Sequence, residues 1–220
     1  MGEMTSVGDL PAYRAVPAGE GPWPGLVVVH EAFGLDDEMR AHADRLAAMG
    51  FVALVPDLFA RGRATVCLAR TLAALRKGQG QAFDDIDATR SALLADPACH
   101  GAAGVIGFCL GGTLAWAVAV NASPSVCVSY YGSGVPAMIG DIDKVTCPTL
   151  FHFGDKDAYI PNDGVEQVNA AIAGRPGFVL NVEHAGHAFD NHESEMFHDE
   201  AAARAAWAKT MAFLGEHLPT

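Results

Sequence analysis

Short apolar runs alternate along the chain with segments of helical periodicity, and this alternation limits the possible folds more than any other feature. The runs are rich in β-branched or aromatic residues and lie at Leu26–His30, Phe51–Val55, Ala103–Gly107, Val126–Tyr131, Thr149–Phe153 and Phe178–Val182. Near-continuous apolar runs of this length are typical of strands buried on both faces of a parallel sheet. The sequence therefore predicts an α/β fold of βαβ units wound into a mostly parallel open sheet.

Helices are predicted between these strands from apolar spacing and from residues that begin or end helices. Asp36 and Asp37 can cap a first helix, which Gly50 would end. A weaker pattern around Asp84–Leu94 predicts another helix. Two more are expected, one after Pro161 and one in the alanine-rich C-terminal segment.

The length of 220 residues, half of them apolar, fits one α/β domain that spans residues 1–220. No internal repeat or linker interrupts it. The segments Gly62–Gly80 and Gly132–Lys144 are predicted to be irregular.

Charge and cysteine usage exclude several classes of protein. The formal net charge is −12, from 14 basic and 26 acidic residues, which argues against nucleic-acid binding. No apolar run approaches the roughly 20 residues of a membrane span, and the N-terminus lacks a signal-peptide pattern. The five cysteines are odd in number and form no CxxC pair, so we expect a reduced, cytoplasmic protein. A monomer without a membrane partner is the default expectation.

The most informative motif is Gly107-Phe108-Cys109-Leu110-Gly111, which follows an apolar run and opens a helical segment. This is the G-x-nucleophile-x-G elbow, with cysteine where serine is usual. A sharp strand-to-helix turn needs small neighbours and points the sulfur out of the sheet. It also leaves the N–H groups of Leu110 and Gly111 free to meet a developing anion. We therefore interpret Cys109 as a nucleophile and the other four cysteines as packed thiols.

A cysteine nucleophile needs a base, and the base needs an orienting acid. Two histidines, His184 and His187, follow the last predicted strand, and Gly186 and Phe189 frame the second of them. Pattern favours His187 as the base and leaves His184 as the alternative. For the acid, Asp155 and Asp157 both follow the strand Thr149–Phe153. Pattern favours Asp157, because Asp155 beside a glycine can simply close a turn.

Five stretches in this order make the chain resemble the dienelactone hydrolases (carboxymethylenebutenolidases), a cysteine-using branch of the α/β-hydrolase fold. They span roughly residues 25 to 190 and comprise residues 28–34 (VVHEAFG), 56–61 (PDLFAR), 107–112 (GFCLGG), 150–161 (LFHFGDKDAYIP) and 183–189 (EHAGHAF). The resemblance implies an α/β-hydrolase fold, with a mostly parallel central sheet and helices on both faces. It also implies hydrolysis of a small-molecule ester or lactone.

Residue by residue, the resemblance makes Cys109 the nucleophile, His187 the base and Asp157 the acid. It implies that Glu31 contacts the resting thiol until substrate binding swings the cysteine toward the histidine. The backbone N–H groups of Ala32 and Leu110 would form the oxyanion hole. Phe33 is expected among the substrate-binding residues.

One departure from the family pattern concerns the substrate. Family members that cleave an anionic dienelactone hold its carboxylate with an arginine shortly after the histidine, and Asn191 occupies that place here. Asn191 is therefore expected to contact substrate, and Asp190 beside it would repel a carboxylate. The family's second arginine could correspond to Arg63, Arg70 or Arg76, among which spacing does not choose.

Two other functions compete with the hydrolase hypothesis. A non-catalytic small-molecule binder or a redox-sensing thiol protein would also use an exposed reactive cysteine, but would not need an orienting Asp and His. A metal site at His184, His187 and His192 is the other alternative, although their spacing on an irregular loop is weak support. The hydrolase hypothesis predicts neither a metal ion nor a cofactor.

Overall fold

A computed structural model describes residues 1–218 and groups them into two compact units that divide within one strand. The first unit, residues 1–105, contains β1 (Glu3–Val7), β2 (Leu10–Ala15), β3 (Trp23–Val29), α1 (Asp37–Ala48), β4 (Val52–Pro56), α2 (Ala64–Lys77), α3 (Gln81–Ala95) and most of β5 (Cys99–Phe108). The second unit, from residue 106, contains α4 (Leu110–Asn121), β6 (Cys127–Tyr130), α5 (Val135–Met138), a 3₁₀ helix (Ile139–Lys144), β7 (Thr149–Gly154), α6 (Asn162–Ile172), β8 (Phe178–Glu183) and α7 (Glu200–His217). The prediction of a single domain over residues 1–220 stays a prediction.

The strands pair mainly in parallel, as the apolar runs predict. In the first unit the strand order is β1-β2-β4-β3, and β3 runs parallel to β4. In the second unit β6, β7 and β8 follow one another in parallel register. The antiparallel pairs described are those of β2 with β1 and with β4. A mostly parallel sheet with helical crossovers is therefore confirmed.

The N-terminal hairpin of β1 and β2 was not predicted. Strand β1 is exposed along nearly its whole length, so it has no apolar run. Antiparallel backbone pairing with β2 holds the strand in place, rather than burial of its side chains.

The prediction of an irregular segment over Gly62–Gly80 is wrong, because α2 fills most of it. Its glycines lie at the ends of the helix and not inside it, and Gly78 adopts a left-handed conformation (φ 66°) as the C-cap. The segment Gly132–Lys144 likewise contains α5 and the 3₁₀ helix.

Helices α1 and α4 illustrate two kinds of helical sequence. Helix α1 is amphipathic and begins where Asp36 accepts a hydrogen bond from the N–H of Met39 at 3.0 Å, as predicted. Helix α4 is apolar on all sides and buried from Leu110 to Val120, as expected for a helix inside the core. In residues 1–218, no helix has the length and apolar character needed to cross a membrane.

A buried hydrogen-bonded network joins α7 to the strands of the second unit. The Thr210 hydroxyl lies 2.6 Å from the Tyr130 hydroxyl and 2.9 Å from Nε2 of His152. Burial, with a smaller contribution from the charge of Lys209, lowers the pKa of His152 to about 3, so the ring is neutral. Its Nδ1 lies 2.9 Å from the amide of Asn181, so Nδ1 accepts and Nε2 donates to Thr210.

We expect Thr210→Val to destabilise the protein by about 2 kcal/mol, because the change removes the hydroxyl but preserves side-chain shape. Tyr130 and His152 would each lose a partner, and a buried polar group left unpaired costs roughly 1–3 kcal/mol. Chemical denaturation of the variant measures the free energy of unfolding. Thr65→Val on the exposed side of α2 is the matched control and should leave that free energy within about 0.5 kcal/mol. Equal stability of the two variants would contradict the role of the network.

Candidate active site

Cys109 lies at the turn between β5 and α4 in a strained backbone conformation. Its φ of 53° and ψ of −114° fall in a region that residues with side chains rarely adopt. Its N–H donates to the carbonyl oxygen of Tyr130 at 3.0 Å, and its own carbonyl accepts from the N–H of Thr113 at 3.2 Å. Such strain persists where the surrounding structure fixes it, and it is frequent at functional sites.

The glycines around Cys109 are needed because main chain approaches main chain there. A Cβ at Gly107 would overlap the carbonyl group of Gly111, and one at Gly112 would overlap the carbonyl oxygen of Tyr130. A Cβ at Gly132 would also lie against the backbone of Gly112. The close contacts between the start of α4 and the ends of β5 and β6 therefore exclude side chains at these positions.

The structure brings Cys109, His187 and Asp157 into one hydrogen-bonded chain. Nε2 of His187 lies 3.1 Å from Sγ of Cys109, and Nδ1 lies 2.7 Å from Oδ2 of Asp157. The second carboxylate oxygen of Asp157 accepts the N–H of Tyr159 at 2.8 Å. Both oxygens of this buried carboxylate are thus used, which fixes the orientation of the imidazole.

The alternative residues form a separate pair. Nδ1 of His184 lies 2.7 Å from Oδ2 of Asp155, and both side chains are exposed. Each of the two candidate histidines is therefore hydrogen-bonded to one of the two candidate acids. Of the two pairs, His187–Asp157 is the one that contacts Cys109.

The pKa of His187 is raised to about 9 by its partners. Burial is the largest single influence and lowers the pKa, because it disfavours the charged ring. The hydrogen bonds and charges of Asp157 and Cys109 act in the opposite direction and together outweigh it. At neutral pH the imidazole therefore holds a proton beside the sulfur.

Two tyrosines that the sequence analysis did not name surround this histidine. The ring centroid of Tyr131 lies 5.2 Å from that of His187, and the ring of Tyr159 lies 4.8 Å away, both edge to face. Tyr159 remains exposed, so its ring contacts His187 on one side and solvent on the other. The only sequence signal for either residue is its position: Tyr131 directly follows β6, and Tyr159 follows Asp157 by two residues.

Three residues that follow β3 and are predicted to lie beside Cys109 belong to the first unit. Glu31 directly follows His30 at the carboxyl end of that strand and is buried, whereas Phe33 is largely exposed. His30 fixes this turn, because its Nδ1 lies 2.6 Å from the carbonyl oxygen of Glu31 and its Nε2 accepts the N–H of Leu58 at 3.1 Å. The roles of Glu31, Ala32 and Phe33 stay predictions.

The two residues that depart from the family pattern are both buried. Asn191 donates its N–H to the carbonyl of Ala188 at 3.0 Å, and its side-chain oxygen accepts the N–H of Glu193 at 3.1 Å. Ala188 itself has a φ of 53°. Asp190 is completely enclosed. The segment after His187 is thus a tight turn that holds an acidic residue inside it.

Cys109 differs from the other cysteines in exposure. It is half-buried, whereas Cys67, Cys99, Cys127 and Cys147 are buried free thiols. Burial raises the pKa of both Cys127 and Cys147, which makes them poorer nucleophiles.

The arginines left open by the sequence lie on or beside α2 in the first unit. A cavity of about 360 Å³ there is lined by three cationic side chains, those of Arg61, Arg70 and Lys77. Arg61 is already paired with Asp9 at 3.0 Å and with Asp85 at 2.6 Å. Of the three candidate arginines, Arg70 lines this cavity.

The alternative metal site at His184, His187 and His192 is not assembled as a group within residues 1–218. The first two of these histidines are each hydrogen-bonded to a different aspartate.

Comparison with known proteins relates the whole arrangement to one family. A family model described as the dienelactone hydrolase family matches residues 10–218. The chain is 34% identical to a proposed carboxymethylenebutenolidase of Azospirillum brasilense, over 96% of this chain and 95% of the relative. It is 33% identical to the carboxymethylenebutenolidase of Pseudomonas sp. (strain P51), over 96% of this chain and 92% of the relative.

A solved structure supports the same conclusion. The proposed dienelactone hydrolase of Klebsiella pneumoniae subsp. pneumoniae MGH 78578 superposes with a TM-score of 0.83 at 26% identity, and the alignment covers 98% of each chain. This similarity confirms the predicted α/β-hydrolase fold. Together with the family model and the two curated relatives, it shows that the chain is a hydrolase-type protein that belongs to the dienelactone hydrolase family.

Proposed function

We propose that this protein hydrolyses a small-molecule lactone or ester through a thioacyl-enzyme, with Cys109 as nucleophile, His187 as base and Asp157 as orienting acid. The observation that carries the proposal is the continuous hydrogen-bonded chain from sulfur to imidazole to buried carboxylate, with contacts of 3.1 and 2.7 Å. The names of the curated relatives, carboxymethylenebutenolidases, support lactone hydrolysis as the type of reaction.

The first half-reaction forms a thioester. Sγ of Cys109 attacks the carbonyl carbon of the substrate, and the carbonyl π electrons move onto oxygen. By family resemblance the N–H groups of Ala32 and Leu110 would stabilise this oxyanion, and loss of one such donor typically costs 10²–10³ in rate. The carbon–oxygen bond of the ester then breaks, and the proton on His187 moves to the leaving oxygen.

The second half-reaction consumes one water molecule. His187 takes a proton from the water as the water attacks the thioester carbon, and the carbon–sulfur bond breaks. The carboxylic acid product leaves, and the sulfur and imidazole again share one proton. Asp157 stabilises the imidazolium in both halves, because its carboxylate is buried and hydrogen-bonded to Nδ1.

A leaving oxygen is favoured over a leaving nitrogen in this mechanism. A thiolate is a better leaving group than an amide nitrogen, so a tetrahedral intermediate formed from an amide would return to substrate. Esters with good leaving groups and enol lactones avoid this reversal. The proposal therefore favours activated esters and enol lactones over simple amides as substrates.

Glu31 would act before substrate binds. The family resemblance implies that this carboxylate contacts the resting thiol and releases it when substrate arrives. Its burial supports the role, because a carboxylate at the end of a strand is usually solvated. The carboxyl ends of parallel strands are also where ligands bind in open α/β sheets.

Alkylation of Cys109 should abolish release of p-nitrophenol from an activated p-nitrophenyl ester. The other cysteines are buried, so stoichiometric iodoacetamide should modify Cys109 first, and peptide mapping identifies the alkylated residue. Cys109→Ala should lack both the initial burst and turnover, whereas Cys99→Ala should retain them. Release that is indifferent to alkylation at Cys109 would reject the mechanism and favour the binder or redox-sensor alternative.

On the alkaline side of its pH profile (the alkaline limb), kcat/KM should depend on the protonation of His187. Because the pKa of His187 is raised to about 9, the ring is protonated below that pH and loses the proton for the leaving group above it. We therefore expect kcat/KM to fall as the pH rises through about 9. Asp157→Asn removes an interaction that raises this pKa, so the limb should move to lower pH and kcat/KM should drop about 10²–10⁴-fold.

Asp155→Asn is the matched control for the pH experiment, because it breaks the exposed aspartate–histidine pair with the same substitution. It should change neither the position of the alkaline limb nor kcat/KM. Equal effects of the two substitutions would contradict the assignment of Asp157.

Neutral substrates should be preferred to anionic ones. Asp190 is buried and lies three residues after His187, and position 191 is asparagine instead of arginine. A substrate carboxylate would therefore meet an acidic environment. We expect at least about tenfold higher kcat/KM for a neutral ester than for a matched ester with one added carboxylate, a difference of about 1.4 kcal/mol. A higher kcat/KM for the anionic member would overturn this prediction.

A further inference from the structure

A second group of side chains with ligand chemistry lies in the segment between β8 and α7. It consists of His192, His198 and Glu200, whose potential ligand atoms all lie within 4.8 Å of one another. We propose that these three side chains form a binding site for a divalent transition-metal ion of the zinc type. The site shares no residue with the Cys109–His187–Asp157 chain, and the proposal does not rest on the proposed function.

The distances already approach those of a metal centre. Nε2 of His198 lies 3.2 Å from Oε2 of Glu200, and the ring centroids of His192 and His198 are 4.4 Å apart with an interplanar angle of 37°. Zinc–ligand bonds of about 2.0–2.1 Å place neighbouring ligand atoms in a tetrahedron roughly 3.4 Å apart. The His198–Glu200 pair therefore already has the required separation. His192 is exposed, and its side chain would have to move toward the other two to close the third edge.

The ligand types select the class of ion. Two imidazole nitrogens with one carboxylate oxygen suit Zn²⁺ and other first-row transition ions, whereas Ca²⁺ and Mg²⁺ prefer sites made of oxygen. Two histidines and one glutamate leave a fourth tetrahedral position for water. His192 and Glu200 are both exposed, so an ion can reach the site from solvent without unfolding of the segment.

The charge around the group favours a cation. The sequence has no lysine or arginine from residue 185 to residue 203, and Glu193 and Glu195 lie exposed in the same segment. The first cation beyond it, Arg204, lies 3.8 Å from Oε1 of Glu200. That contact uses the carboxylate oxygen opposite to the one that faces His198, so Oε2 can still bind a metal ion.

A bound ion would hold the segment at both ends. His192 follows the turn at Ala188–Asn191, and Glu200 is the first residue of α7, whose N-cap is Asp199. The ion would therefore join the residues after His187 to the first turn of the helix. The expected consequence is a higher melting temperature in the presence of the ion, because binding to the folded state alone stabilises it.

The test uses Co²⁺ as the probe on the full chain after chelator treatment. Tetrahedral Co²⁺ gives visible d–d absorption, and a thiolate ligand adds a charge-transfer band in the near ultraviolet. We expect about one equivalent per chain, with visible bands but no thiolate band. Zn²⁺ should displace the Co²⁺ and raise the melting temperature. Appearance of the thiolate band, or loss of binding in Cys109→Ala, would assign the ion to the cysteine and overturn the proposal.

Variants locate the ion. His192→Ala, His198→Ala and Glu200→Gln should each weaken Co²⁺ binding at least about tenfold, since even outer partners of a metal centre matter on that scale. His100→Ala, which removes an exposed histidine of the first unit, is the matched control and should bind as the wild type does. Glu200→Gln keeps the shape of the side chain, so a loss of binding there cannot be attributed to unfolding of α7. Unchanged binding in His192→Ala and His198→Ala would refute the site.

Discussion

The close approach of main chain to main chain around Cys109 is the constraint on which the candidate active site depends. Gly107, Gly112 and Gly132 bring the ends of β5 and β6 against the first turn of α4, with no space for side chains. The positive φ of Cys109 is supported by hydrogen bonds from its N–H and to its carbonyl, both with neighbouring backbone. The direction of the sulfur is therefore set by backbone packing and not by the rotamer of the cysteine alone.

Burial distinguishes the two aspartate–histidine pairs, which are alike in composition and in their 2.7 Å contacts. His184 and Asp155 are exposed, so water and salt screen their interaction. His187 and Asp157 are enclosed, where the effective dielectric constant is lower and the same charges interact more strongly. That enclosure allows Asp157 and Cys109 to raise the pKa of His187 although burial alone would lower it. A local sequence pattern does not contain this difference.

The predictable parts of the fold are those in which burial leaves an apolar run. Strands β4 and β7, buried at every position, were found within a residue of their ends. Strand β1 was missed because its side chains are exposed, and α2 was missed because glycines at its ends suggested a loop. The elbow at Cys109 was predictable because the close approach of backbone to backbone there requires glycines, and glycines are visible in the sequence. Pattern favoured His187 and Asp157 but left His184 and Asp155 as alternatives, and the family resemblance decided between the two acids.

Tyr130 and Tyr131 explain how the core holds Cys109 and His187 together. The carbonyl of Tyr130 accepts the N–H of Cys109 at 3.0 Å, while its hydroxyl lies 2.6 Å from Thr210 of α7. The next residue, Tyr131, has a φ of 38° and places its ring edge to face with His187.

The other side of His187 is held by the same helix. Asp199, the N-cap of α7, donates its N–H to the carbonyl of Phe189 at 3.0 Å, two residues after His187. Helix α7 is thus bound to the end of β6 through Thr210 and to the histidine turn through Asp199. The end of β6 also accepts the N–H of Cys109. The 3.1 Å contact between sulfur and imidazole is therefore supported by two routes that both pass through α7. A change at Thr210 should therefore affect the alignment of Cys109 and His187 as well as stability, although Thr210 contacts neither residue.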